Sequence, residues 1–128
     1  GTSNISEDVA VPISKVPELL SRLSEAVGPF GLPFVIFGHA GDGNLHPKIM
    51  YDKTDPDQVK AVEAAAGELF GLACSLGGTL TGEHGIGIAK APYMTLEHQA
   101  VEIEMMRRVK EAFDPDNILN PGKMALFT

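Results

Sequence analysis

Two histidines, His39 and His46, bracket the loop of the stretch Gly38-His39-Ala40-Gly41-Asp42-Gly43-Asn44-Leu45-His46. Its glycines supply positive φ and its Asp and Asn supply side-chain-to-backbone bonds, which is the turn chemistry of a β-hairpin. Pro33-Phe34-Val35-Ile36-Phe37 before it and Lys48-Ile49-Met50-Tyr51 after it are short and dense in β-branched and aromatic residues, so both read as strands. A histidine then stands at each lip. Residues facing across a hairpin have Cβ atoms roughly 4.5 to 5.5 Å apart, somewhat more on the diagonal. That suits two imidazoles on one divalent ion with bonds of about 2.0 to 2.1 Å. Taken alone, the pair has two readings: two metal ligands, or a polar edge residue beside a hydrogen-bonded, partly buried one.

A third ligand would decide between them. Gly82-Glu83-His84-Gly85-Ile86-Gly87 is too glycine-rich for an element interior and too specific in its polar residues for an idle linker. If this loop returns past the hairpin lip, His39, His46 and Glu83 converge, and two histidines with one carboxylate form a set that leaves positions open for substrate or water. His84 is then a general acid or base. Each residue also has a plainer role: Glu83 as a solvated carboxylate, His84 as a loop hydrogen-bonder, Asp42 as a turn former. His98, early in a later helix, reads as a surface residue. Lys48, Lys90 and Lys123 are candidates to neutralise an anion, or are simply solvated. Gly85-Ile86-Gly87 is too short to be read as a phosphate loop.

The elements that must position these residues follow from periodicity and punctuation. Glu7-Asp8-Val9-Ala10-Val11-Pro12 reads as a strand. Ser14 can cap a helix with Val16, Leu19, Leu20, Leu23 and Val27 on one face, Pro17 in its first turn and Gly28-Pro29 as its stop. Asp55-Pro56-Asp57-Gln58 supplies an N-cap, a first-turn proline and a Gln three residues after the cap. Val59, Val62, Ala66, Leu69, Ala73 and Leu76 carry that helix's buried stripe to Gly77-Gly78. Thr79-Leu80-Thr81 can be a last strand. A further helix is expected from Thr95 to Phe113, with Leu96, Ile103, Met106, Val109 and Phe113 buried, ending at Asp114-Pro115. The order strand, helix, strand, strand, helix, strand is that of an α+β split βαβ (ferredoxin-like) fold, an antiparallel sheet with helices on one face, followed by a C-terminal helical segment. A different α+β sandwich, or half of a larger sheet, remains an alternative. The chain as a whole reads as a partial domain of a larger protein.

Composition narrows the function classes. The formal charge of -7 argues against a phosphate-backbone binder, which needs clustered positive surface. No apolar run approaches the roughly 18 residues of a membrane span. The single cysteine, Cys74, lies in an apolar helical pattern and cannot form an intramolecular disulfide, compatible with a reducing cytosol.

Three stretches in order, Gly38 to His46, Thr81 to Gly87, and Ala112-Phe113-Asp114-Pro115 through Asn120-Pro121-Gly122-Lys123, together resemble the C-terminal part of the FAD-linked oxidases of the vanillyl-alcohol-oxidase type. Within that family, His46-Pro47 and Tyr51-Asp52 look most like the glycolate oxidase D subunit and D-lactate dehydrogenase group. The resemblance implies a flavoprotein that oxidises a small 2-hydroxy acid, glycolate or D-lactate, to the 2-oxo acid. It implies that His39, His46 and Glu83 bind zinc or manganese, that His84 is the catalytic base, and that Asn120 and Lys123 border the flavin. Lys48 stands where some relatives carry an asparagine that contacts substrate, which counts against 2-hydroxyglutarate. The family's FAD domain lies upstream, as does the arginine that grips the substrate carboxylate. Residues 1–128 are therefore expected to be a C-terminal substrate-domain and helical fragment that holds no FAD and is inactive alone. Expected partners are the hydroxy acid, other oxidase subunits of the parent, and a second copy paired through an uncovered strand edge or helix face. The expected location is cytoplasmic, peripheral to the inner membrane through partner subunits. Two other classes use the same residues: a metal-dependent hydrolase with His84 as base, and a non-catalytic metal-binding or oligomerisation module.

Overall fold

The structure, a computed structural model, describes residues 1–127 and divides into two compact units, Gly1–His84 and a second from Gly85 onward. The first is built on strand β4 (Asn44–Asp52). Strand β3 (Phe34–His39) runs antiparallel along one side of it, from Phe34↔Ile49 to His39↔Asn44. Along the other side lie β1 (Thr2–Ser6) and β2 (Val9–Ala10) in one unbroken register, Ser6↔Lys48 and then Val9↔Leu45. The gap between them falls opposite Pro47, which has no N–H to donate. Its carbonyl still accepts from the Glu7 N–H at 2.9 Å.

Thr79 makes an isolated antiparallel bridge to Ala10. The order across the sheet is thus Thr79, β1 with β2, β4, β3, the expected α+β split βαβ arrangement with its last strand reduced to one bridge. Two details differ from the sequence reading. The strand expected from Glu7 to Pro12 is confined to Val9–Ala10, and β1 was not expected, because Thr-Ser-Asn-Ile-Ser has no apolar alternation. Pairing to β4 supplies what local propensity does not.

Helix α1 (Val16–Val27) buries Val16, Leu19, Leu23 and Val27. Ser14 does not cap it; it lies in a 3-10 turn over Ile13–Lys15, and Lys15 holds the cap position without a side-chain bond. Helix α2 (Pro56–Ser75) is capped as expected: the Asp55 carboxylate accepts from the N–H groups of Asp57 (2.9 Å) and Gln58 (3.4 Å). Gln58 does not reach back to the cap N–H but accepts from Asp52 N–H at 2.9 Å, tying the helix start to the end of β4. Val62, Ala66, Leu69 and Ala73 are buried as the stripe required, joined by Ala65, Phe70 and Leu72.

Side chains alternate along β4. Leu45, Pro47 and Ile49 are buried on one face. Asn44, His46, Lys48 and Met50 therefore share the opposite face, with His39, Phe37 and Val35 from β3 beside them by register. Phe37 is exposed, and this face is the open side of the sheet.

In the second unit a 3-10 segment covers Ala91–Leu96, and α3 (Ala100–Phe113) begins later than Thr95 because Glu102 Oε2 accepts from the Gln99 N–H at 2.6 Å, fixing the first turn there. The stripe expected to be buried is not: Leu96, Val109 and Phe113 are exposed. Within this unit Met105, Met106 and Val109 of the helix line an apolar cleft with Met124 and Leu126. The Asp114 carboxylate closes the helix by accepting from the N–H groups of Ile118 (3.0 Å) and Leu119 (2.9 Å) and from the Lys110 ammonium. Among the described residues, no helix is long and apolar enough to cross a membrane.

Candidate metal centre

The loop between the histidines is shorter than their spacing suggests. β3 runs through His39 and β4 starts at Asn44, leaving Ala40–Asp42 as a 3-10 turn closed by Gly43 at φ 71°. A Cβ at Gly43 would lie 2.1 Å from the Val11 carbonyl oxygen, so glycine is required there by both conformation and space. His39 pairs with Asn44 and His46 with Phe37, so the two imidazoles are diagonal neighbours on the open face. Their ring centroids are 5.7 Å apart and their planes perpendicular.

Glu83 arrives from beyond Thr79. Its Oε1 lies 3.1 Å from His46 Nε2, and one donor atom from each of His39, His46 and Glu83 fits within a mutual distance of 4.8 Å. Donors sharing an ion at bonds of about 2.0 to 2.2 Å lie roughly 3 to 4 Å apart. The set is therefore within side-chain rotation of a common ion, with two borderline nitrogens and one hard oxygen suited to zinc or manganese. His84 stacks on His46 at 5.3 Å between centroids, 21° from parallel, and its Nε2 is 3.8 Å from Glu83 Oε1. Its side chain is half exposed, on the accessible side of the cluster.

Two residues of this site were not singled out in the sequence. Asp8 is fully buried. The register of β1 and β2 places it opposite His46, on the open face. Its Oδ2 accepts from Thr81 Oγ1 (2.9 Å), Glu83 N–H (2.6 Å) and His84 N–H (2.9 Å). The available signal was an acidic residue, poorly suited to strands, set before Val9-Ala10-Val11. Asn44, read as a turn residue, is buried with its Oδ1 lacking a hydrogen-bond partner, and it packs where Gly82 has no Cβ.

The remaining candidates are dispersed. Asp42 is exposed in the 3-10 turn, and Lys48 is half-buried on the open face. Asn120 and Lys123 are exposed in the C-terminal stretch of the second unit, Asn120 at φ 50°. Lys90 is buried in that unit, contrary to the solvated default. His98, also there, is half-buried, 3.8 Å from Glu97 and 3.9 Å from Glu102.

Comparison with known proteins agrees with this arrangement of elements. Residues 1–124 match the family model of FAD linked oxidases, C-terminal domain. The chain is 44% identical over 122 residues to glycolate oxidase subunit GlcD of Bacillus subtilis, covering 95% of this chain and 26% of that protein. It is 38% identical over 117 residues to the mitochondrial D-lactate dehydrogenase [cytochrome] of Arabidopsis thaliana, covering 91% of this chain and 21% of that one. In fold it is similar to 4-ethylphenol oxidase from Gulosibacter chungangensis, solved as an isoeugenol complex, with a TM-score of 0.57 and 23% identity, across 99% of this chain and 25% of that one. The chain spans about a quarter of the length of these relatives. It belongs to the family of FAD linked oxidases, C-terminal domain.

Proposed function

We propose that this chain supplies the metal ligands and the proton acceptor of a flavin-dependent oxidoreductase that converts a small 2-hydroxy acid, glycolate or D-lactate, to the 2-oxo acid. The observation that carries the reading is the convergence of His39, His46 and Glu83 on the open face of the sheet with His84 stacked beside them. The names of the relatives, glycolate oxidase subunit and D-lactate dehydrogenase, support the substrate class.

In this reading His39, His46 and Glu83 hold a divalent ion. When bound, that ion supplies Lewis-acid polarisation of the substrate hydroxyl, and FAD held by the rest of the parent supplies the hydride acceptor. The chain's own residues do the rest. His84, accessible and fixed by its stack on His46, takes the hydroxyl proton on an imidazole nitrogen. Lys48, on the same face, offers a positive charge to the substrate carboxylate. Asn120 and Lys123 border the flavin, and the isolated chain turns over nothing without the rest of the parent. Partner subunits and a homodimer of the isolated chain belong to the same proposal, as does a cytoplasmic location.

The test is turnover by the full-length protein that contains this chain. It should oxidise glycolate or D-lactate with an artificial electron acceptor, lose activity with a chelator and regain it with Zn²⁺ or Mn²⁺. His84→Gln should lower kcat about 10²- to 10⁴-fold while metal content is kept. Esterase or amidase activity with no hydroxy-acid oxidation would replace this reading with the hydrolase.

A further inference from the structure

We infer that Asp8 is the positioning residue of the metal centre, setting Glu83 and His84 from beneath through their backbone. The inference deepens the proposed function and rests on its metal site.

A carboxylate removed from water needs hydrogen-bond donors to hold its charge. Asp8 has no exposed surface, and three of its donors come from a single loop: Thr81 Oγ1, Glu83 N–H and His84 N–H, all on Oδ2. Successive N–H groups converging on one oxygen make an anion-binding concavity, and here the anion belongs to the same chain. The bonds are charge-assisted, and the shortest, 2.6 Å, is to the N–H of Glu83 itself.

The consequence for the site is geometric. Fixing the amides on both sides of the Glu83 Cα leaves that residue only its side-chain torsions, and from this position its Oε1 already meets His46 Nε2 at 3.1 Å. The second amide fixes His84 in the same way, with its Nδ1 3.7 Å from Asp8 Oδ1 and its ring over His46. Asp8 is itself fixed, because it sits between β1 and β2 opposite His46 on the central strand. A loop rich in glycine, with Gly82 and Gly85 on either side of Glu83-His84, has no stiffness of its own to hold a ligand in place. Asp8 provides it. Outer residues that orient metal ligands change affinity by about 10- to 100-fold when removed.

The test is Co²⁺ titration of the chain, followed by the visible d–d bands of the bound ion, alongside circular dichroism. Asp8→Ala removes all three acceptor contacts and is expected to weaken Co²⁺ binding about tenfold or more and to alter the bands, in protein that keeps its circular dichroism spectrum. Asp8→Asn retains an acceptor oxygen in place and should recover most of the affinity. Thr81→Val deletes one donor and should weaken binding by a smaller factor, which keeps the test open if Asp8→Ala does not fold. Wild-type affinity and bands in folded Asp8→Ala, or in Thr81→Val when Asp8→Ala is unfolded, overturn the inference while leaving the metal site standing. A wild-type chain that takes up no Co²⁺ overturns both.

Discussion

Gly82→Ala tests the packing behind Glu83 without touching a ligand. Gly82 has no positive φ, so alanine carries no backbone penalty there. Its Cβ, however, would sit 2.2 Å from Asn44 Oδ1 and 2.5 Å from Asn44 Cγ. Carbon contacts settle at about 3.5 to 4.0 Å, and Asn44 is buried at the start of β4. Overpacking of this kind costs about 1–3 kcal/mol. For a domain of this size that lowers Tm by about 4 °C or more. Asn44→Ala alone should change stability by no more than about 1 kcal/mol, since it removes a buried oxygen that has no partner along with some packing. The double variant should recover most of the loss, a favourable coupling of roughly 1–2 kcal/mol in a double-mutant cycle followed by urea unfolding. Gly78→Ala is the control: its Cβ would meet the Ala10 carbonyl oxygen at 2.2 Å, so it should destabilise with no rescue by Asn44→Ala. Additive effects of Gly82→Ala and Asn44→Ala would refute the reasoning.

Two further expectations address other parts of the chain. Asp55→Ala removes the acceptor for the N–H groups of Asp57 and Gln58 at the start of α2 and should cost about 1 kcal/mol, read as a shift in the urea midpoint with an unchanged slope. The Asp114 carboxyl is held below its ordinary value of 3.8, first by the Lys110 ammonium and then by the Ile118 and Leu119 N–H groups. A depressed carboxylate contributes stability above its unfolded pKa and loses it as pH falls through the folded one. The protection factors of the Ile118 and Leu119 amides should therefore be independent of pH down to that ordinary value and fall only below it. Loss of protection already near neutrality would contradict this.

The residues that gather at the site were more legible than what supports them. His39, His46, Glu83 and His84 stand out because histidines and a lone carboxylate among glycines are conspicuous by residue type, and the hairpin's turn chemistry places the first two together. The α2 cap and stripe were legible for the same reason, since Asp55-Pro56 and the apolar spacing are local signals. What remained hidden depends on pairing between distant segments. β1 exists because β4 accepts it, not because Thr2–Ser6 favours extension. Asp8 gained its role from the loop at residues 81–84, and Asn44 from the missing Cβ of Gly82. The stripe on α3 was read correctly as apolar and wrongly as buried, because an amphipathic pattern says that a face wants a partner and not that the chain supplies one.

The central claim is that His39, His46 and Glu83 hold one divalent ion, and metal content tests it most directly. The wild-type chain, His39→Ala, His46→Ala, Glu83→Ala and the control His98→Ala would be dialysed against Zn²⁺, freed of excess metal and analysed for bound zinc. One ion per chain is expected in the wild type and in His98→Ala, and little or none in the three ligand variants. Equal zinc in all five would contradict it.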